Sequence, residues 1–321
     1  MNDQATLPRL GLVGAGRWGR NLIRNFVQLG VLQIVCDHHP ERLASIQQDF
    51  PQLKVTTDFS ELLRDPELAA VIIATPARTH EALAEQSLRA GKHIYVEKPL
   101  ARSPAGATRL SALAAELQLT LMVGHLLLYH PAVNRLRSLI SAGELGEIRY
   151  VNSDRRNYPL ERNDNSVLWD LAPHDLSMVA YLLDTDQFEV LQARGFCTQQ
   201  DEVVDVAHLD LRLGRRGVAV HIHNSWIDPH KQCLLTVNGT EQTAVLNDGQ
   251  PDEKLKLYRL NAETGELEVR SVSYSDAEPL RLECQHFVHC LMHNVRPRSD
   301  GIAGYQVVQM LARAAEVMQL S

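Results

Sequence analysis

The sequence predicts two domains of different class: an α/β Rossmann domain, a doubly wound parallel sheet, followed by an α+β domain with a large, mostly antiparallel sheet. Three observations lead there. Through residue 123, short apolar runs alternate with amphipathic stretches of helical period. A glycine-rich segment, Gly14-Ala15-Gly16-Arg17-Trp18-Gly19, joins the first apolar run to the first helical stretch. Beyond about residue 124, apolar residues recur with period two between turns rich in Gly, Asn and Asp. A chain of 321 residues exceeds what one core usually supports. The domains are therefore placed at 1–124 and 125–321, with the last helices free to pack back on the first domain.

Each element follows from its own pattern. The apolar runs are 10–13, 32–36, 69–74, 93–96 and 119–123, and the amphipathic stretches between them are 18–29, 40–49, 79–90 and 104–117. Strands unbroken by polar residues and separated by helices read as a parallel sheet covered on both faces. In the second half, a helical segment at 131–142 precedes a strand at 146–156, and another helix runs from about 170 to 183. Alternating stretches at 205–213, 217–226, 232–239 and 266–274 then predict antiparallel strands with one more solvated face. Helical patterns at 278–294 and 302–320 close the chain.

Bulk properties narrow the function classes. A formal charge of −7 disfavours nucleic acid or an anionic membrane as partner. The five cysteines, at 36, 197, 233, 284 and 290, form no CxxC pair or disulfide framework, which predicts reduced thiols in the cytoplasm. The first ten residues lack a basic region followed by an apolar core, and the apolar stretch 119–130 is too short to span a bilayer. Neither a signal peptide nor a membrane segment is expected.

The glycine segment sits where a pyrophosphate could rest on the free N–H groups of a helix start. This makes Gly14, Gly16, Arg17, Trp18 and Gly19 candidate cofactor contacts. The next apolar run ends in Asp37, whose carboxylate can accept from both ribose hydroxyls and would repel a 2′-phosphate. His38 and His39 add no permanent positive charge, so NAD is expected over NADP. Asp37 as a simple turn residue before Pro40 is the alternative. Thr75 and Pro76 end the run at 69–74, and Thr79-His80 opens the following helix; ligands of open α/β sheets lie beyond such strand ends. Thr75, Pro76 and His80 are therefore placed with the cofactor, and Thr79 can also serve as a helix cap.

The run at 93–96 leads into Glu97-Lys98-Pro99. Pro99 biases Lys98 toward an extended backbone, which fixes the aim of its side chain. A partly desolvated lysine beside an oxidised nicotinamide can polarise or deprotonate a hydroxyl. Glu97 is grouped with the cofactor residues, although pairing or hydrogen bonding near the strand end is its simplest role.

In this order and spacing, GxGxxG, the Cys36-Asp37 strand end, Ala74-Thr75-Pro76 with His80, and Glu97-Lys98-Pro99 resemble the glucose-fructose oxidoreductase/inositol dehydrogenase/MocA family. The resemblance spans the whole chain through VGHLLLYHPAV (123–133), GELGEI (143–148) and DLAPHDLSMVAYLL (170–183). It implies that Lys98, Asp170 and His174 act on a carbinol beside the nicotinamide. Read from spacing alone, Asp170 and His174 lie four residues apart, and Pro173 belongs in a first helical turn, so the helix should begin near 172. Asp170 as a helix cap with a structural His174 is the alternative from spacing.

Substrate clues cluster near His174. Arg155, Arg156 and Arg162 offer guanidinium forks suited to phosphate or carboxylate, and strand alternation sends Arg155 and Arg156 to opposite faces. Solvated arginines are the alternative. The chain departs from sugar and polyol members of the family at 125–130, and is more similar to the branch that oxidises nucleotide-activated sugars. That likeness implies His125, Tyr129, Arg155, Arg156, Asn157 and Asp175 as substrate contacts, and oxidation of a ring hydroxyl, at C3, of a nucleotide-linked sugar. A free-sugar or inositol dehydrogenase is the second expectation, and a non-catalytic NAD-binding protein the third. The family also implies a homodimer or homotetramer through the C-terminal sheet, on the strand face carrying His221 and His223. The histidine- and cysteine-rich segment 284–293 lacks a known ligand spacing, so an amphipathic helix with surface histidines is expected and no metal is assigned.

Overall fold

A computed structural model describes residues 7–158, 166–199 and 201–319. The first half reads β1 (Arg9–Val13), α1 (Arg17–Gln28), β2 (Leu32–Cys36), α2 (Pro40–Asp49), β3 (Lys54–Thr56), α3 (Phe59–Arg64) and β4 (Leu68–Ile73). It continues with α4 (His80–Arg89), β5 (His93–Glu97), α5 (Pro104–Glu116) and β6 (Leu121–Gly124). The six strands form one parallel sheet in the order β3-β2-β1-β4-β5-β6. This is the doubly wound Rossmann arrangement. Strand β3 and helix α3 are additions to the elements expected from sequence. Lys54-Val55-Thr56 is a three-residue edge strand that is nowhere fully buried, so it carries no apolar run to find.

The second half holds α6 (Pro131–Ser141), β7 (Ile148–Arg156), α7 (Val167–Asp170) and α8 (Ala172–Leu183). Seven further strands follow: β8 (Phe188–Phe196), β9 (Val206–Leu213), β10 (Val218–Ser225), β11 (Gln232–Gly239), β12 (Thr243–Asn247), β13 (Leu255–Leu260) and β14 (Leu267–Ser271). Helices α9 (Pro279–His293) and α10 (Gly301–Val317) end the chain. These eight strands make a second sheet, β14-β13-β12-β11-β7-β10-β9-β8, antiparallel except where β7 runs parallel to β10. Strands β8, β12 and β13 were not expected. The first is an edge strand whose side chains are mostly exposed, which erases the alternation that marks a half-buried strand.

The chain divides into two compact units, Met1–Leu126 with Glu278–Val308 and Leu127–Ala277 with Gln309–Ser321. In the first, α9 supplies core side chains: the buried rings of Phe26, Tyr95 and Phe287 meet edge to face, with centroids 5.7 to 6.4 Å apart. Each such pair adds about 0.5–1.5 kcal/mol beyond its burial. In the second, Val151, Leu209, Leu211, Val220, Ile222, Leu235 and Val237 fill the buried sheet face. The opposite face is polar, with His208 stacked on His223 at 4.3 Å, His221 on Asp210 at 2.8 Å and His223 on Asp154 at 3.1 Å. Among the described residues no helix is long and apolar enough to cross a membrane.

Candidate active site

The glycine loop is shaped by contacts that exclude side chains. Gly14 has φ +101°, and a Cβ there would lie 2.5 Å from the Ala74 carbonyl oxygen. A Cβ on Gly19 would lie 1.9 Å from the carbonyl oxygen of Gly14, so the helix approaches the loop this closely only because residue 19 is glycine. At Gly16 a Cβ would meet only the Arg42 side chain, at 3.9 Å, which leaves that side of the loop open. Helix α1 begins without a side-chain cap and without an acidic residue in its first turn. Its free N–H groups and the helix dipole therefore favour an anion, and the residues present fit the pyrophosphate of a dinucleotide. Arg17 and Trp18 are exposed at this helix start.

Asp37 is buried beneath the loop. Its Oδ2 accepts from the Ala15 N–H at 2.7 Å and its Oδ1 from the His39 N–H at 2.9 Å. An ionised carboxylate offers about four lone-pair sites, so capacity for ribose hydroxyls is left. His38 and Arg42 each approach it to 3.6 Å. Among the described residues, Asp37, His38 and His39 converge closely enough to share a cation, but the carboxylate already serves two backbone amides.

At the next strand ends, Thr75 and Thr79 bond through their hydroxyls at 2.7 Å, and Pro76 is exposed. His80 is buried, with Nε2 2.8 Å from the Thr75 carbonyl oxygen and Nδ1 2.8 Å from that of Pro99. Its ring thus ties the loop after β4 to the loop after β5. Burial pushes this imidazole down from its ordinary pKa.

Lys98 follows β5, half-buried, with a cis peptide to Pro99. Its frame is Glu97, which is 8% exposed and takes three donors: the Trp18 indole N–H at 2.6 Å, the Tyr95 hydroxyl at 3.2 Å and the Lys98 amide at 3.2 Å. Burial nevertheless raises Glu97 above the usual carboxylate range. Glu97 therefore joins the glycine-loop helix to the lysine-bearing turn, a bond no local sequence pattern reveals. His125 follows β6 and is buried.

Glu283 of α9 is a residue the sequence reading missed. Its carboxyl is wholly buried, faces the Tyr95 hydroxyl, and is raised well above its ordinary pKa by burial and by the charge of Glu97. A signal was available: Glu283 interrupts the apolar stripe of Leu280, Cys284, Phe287 and Val288. The neighbouring histidines do other work, since His286 Nε2 accepts from the Arg298 amide at 3.1 Å.

In the second unit, Asp170 ends the short α7 and His174 lies in the first turn of α8, which starts at Ala172 with Pro173 inside it. Both are half-buried. Asp175 is 0% exposed and receives Ser153 at 2.9 Å, Arg155 at 3.0 Å and Asn224 at 2.8 Å. Its carboxylate is held by these three donors, and it orients Arg155. The two arginines do point to opposite faces. Arg155 packs inward beside Cys233 at 3.4 Å, whereas Arg156 pairs on the other face with Asp154 at 2.9 Å and Asp228 at 3.2 Å. Asn157 is exposed, its amide bonded to the Ser225 carbonyl, and Tyr129 is buried in the turn before α6. Arg162 lies outside the described residues. Arg155, Cys233, Ser153 and Met178 line a small recess with His130 and Asp248. There, bonds from His130 (3.2 Å) and Lys254 (2.8 Å) hold the Asp248 carboxyl well below its ordinary pKa although burial works against them.

Known proteins agree with this architecture. An oxidoreductase-family profile, NAD-binding Rossmann fold, matches residues 8–125, and the GFO/IDH/MocA C-terminal domain matches residues 133–245. UDP-N-acetylglucosamine 3-dehydrogenase of Acidithiobacillus ferrooxidans is 28% identical over 314 residues, 96% of each chain. Its crystal structure superposes with a TM-score of 0.87 over 97% of both chains at 26% identity. Myo-inositol 2-dehydrogenase of Thermotoga maritima is 26% identical over 80% of this chain and 89% of that enzyme. A 1-carboxy-3-chloro-3,4-dihydroxycyclo hexa-1,5-diene dehydrogenase of Comamonas testosteroni is 31% identical over 54% of this chain, a match spanning about half (47%) of that enzyme. The glycine loop, the strand-end lysine and both matched domains identify the chain as a member of the GFO/IDH/MocA family, an NAD-binding oxidoreductase.

Proposed function

We propose that this protein is an NAD-dependent dehydrogenase that oxidises a ring hydroxyl, at C3, of a nucleotide-linked sugar. NAD, when bound, supplies the hydride acceptor. His174 takes the hydroxyl proton, Asp170 orients the imidazole and favours its charged form, and Lys98 donates a hydrogen bond to the same oxygen as negative charge develops there. Arg155 holds the substrate, with Asn157 and Tyr129 beside it and Asp175 fixing Arg155, whereas Arg156 turns to the opposite strand face and pairs with Asp154 and Asp228.

The observation that carries the reading is Lys98 itself, set by the buried Glu97 frame at the carboxyl end of a central strand. The near-complete alignment with a UDP-N-acetylglucosamine 3-dehydrogenase supports the nucleotide sugar. NAD is favoured over NADP because a 2′-phosphate would meet the buried Asp37 carboxylate. The polar sheet face around His221 and His223 is proposed to pair copies of the chain.

The test is NADH formation with UDP- and dTDP-sugars against free sugars and myo-inositol, followed by identification of the keto product. Turnover of UDP-sugars alone is expected. Turnover of myo-inositol alone would replace this reading with a polyol dehydrogenase, which the Thermotoga maritima relative makes the second choice. Tight NAD binding with no turnover of any compound would leave a non-catalytic binding protein.

A further inference from the structure

Among the described residues around the carboxyl ends of β4, β5 and β6, one polar side chain is left without hydrogen-bond partners. Glu97 serves Trp18 and Tyr95, and His80 serves two carbonyls. His125 is 1% exposed, and neither of its ring nitrogens has a hydrogen-bond partner among the described residues. Only its backbone is engaged, through its amide to the Val123 carbonyl at 2.7 Å. A neutral imidazole carries one donor and one acceptor, and leaving both unmet in the interior is costly. Such a group persists where another requirement keeps it.

Its neighbour shows what that requirement is. Glu97 of β5 pairs in register with Gly124 of β6, so Lys98 and His125 follow as the next residues of two adjacent parallel strands. The approach is close: a Cβ on Gly124 would lie 2.7 Å from the Tyr95 hydroxyl and 2.8 Å from Glu97 Oε1. Burial first, and then the positive charge of Lys98, push His125 down to about 3. The ring is thus neutral at any working pH and can accept a hydrogen bond without taking the proton.

We propose that His125 is a positioning residue for Lys98: in the working complex an unprotonated ring nitrogen accepts a hydrogen bond from the Lys98 ammonium and aims Nζ at the substrate hydroxyl. An ammonium has three protons to place, so this bond leaves donors for the reacting oxygen. The inference rests on the role proposed above for Lys98.

The experiment compares wild type with His125→Phe and His125→Asn, using NAD and UDP-N-acetylglucosamine, or whichever panel sugar is turned over. In His125→Phe, kcat is expected to fall about tenfold, the size of one hydrogen bond to a charged group. KM and NAD affinity stay within about twofold, because one bond to Lys98 is lost and none to a ligand. The melting temperature rises, since an unpaired buried polar group has been replaced by a ring of similar size. His125→Asn, whose amide oxygen can accept, recovers part of the lost kcat.

A raised KM at constant kcat would put the ring on the substrate, and weakened NAD binding would put it on the cofactor; either overturns the proposal. So would a lowered melting temperature with unchanged kcat. A second arm needs no turnover: in ¹⁵N-histidine spectra, NAD addition should shift the acceptor nitrogen of His125 in wild type but not in Lys98→Met. If no sugar is oxidised, the proposed activity fails and this arm still decides. A shift supports the bond, and its absence overturns it.

Discussion

The two units treat buried carboxylates differently. In the second, Asp175 takes three donors, and Asp205 takes the backbone amides of Thr198 and Gln199 together with the Thr198 hydroxyl. Such groups are anchors, because each is paired or bonded to the limit of its surroundings. In the first unit, Glu97 is held by three donors yet raised by burial, Glu283 meets a Tyr95 hydroxyl that also serves Glu97, and Asp37 keeps lone pairs to spare. The unit with open polar capacity is the one that carries the glycine loop and the strand-end lysine. Saturation marks architecture, and incomplete satisfaction marks the place where a ligand or a proton is to be accommodated.

The hardest test of that contrast is at Lys98. Lys98→Met should lower kcat by about 10³–10⁴-fold, the range of lost proton handling and oxyanion stabilisation. NAD affinity, read by titration, should stay near wild type. Near-normal turnover would remove Lys98 from the chemistry and dissolve the contrast at its centre.

At the saturated pole, Asp175→Ala leaves the Arg155 guanidinium buried without its partner. A loss of about 3–5 kcal/mol is expected in urea unfolding. Asp175→Asn should cost less, because it still accepts one bond. A loss below about 1 kcal/mol, the worth of an exposed pair, would show that Asp175 is not an anchor.

A smaller effect is expected at Asp37, which does both jobs. Asp37→Ala removes an acceptor from the Ala15 amide and from the ribose, and should weaken NAD by about 10–100-fold. NADP should be affected less, which narrows the preference. Equal weakening of both nucleotides would restrict Asp37 to holding the loop.

How much of this was legible follows the same physics. The central strands of the first sheet were readable because strands buried on both faces are continuous apolar runs, as in Leu68–Ile73. Edge strands such as Lys54–Thr56 and Phe188–Phe196 were not, since exposure removes the pattern. At the site, the glycine loop, Asp37 and Lys98 are local motifs and could be named. The Trp18–Glu97 bond and the burial of Glu283 join residues far apart in the chain, which periodicity cannot report. His125 stood out as a departure from the family pattern, but its unmet nitrogens exist only in the folded chain.

The mildest test at neutral pH concerns Glu283, where the contrast is sharpest in kind. Burial and the Glu97 charge raise this carboxyl well above its ordinary value. A raised acid favours folding below its unfolded pKa, about 4.3, and loses that contribution as pH climbs through the folded value. Wild-type stability should therefore carry a limb that falls from about pH 4 upward, to which Glu283 contributes. Glu283→Gln cannot ionise, so its stability should match wild type near about pH 4 and exceed it increasingly as pH rises from there toward the folded value, measured by urea unfolding across the range. If Glu283→Gln and wild type kept parallel pH profiles, Glu283 would be as fully satisfied as Asp175, and the difference between the two units would reduce to the residues around Lys98.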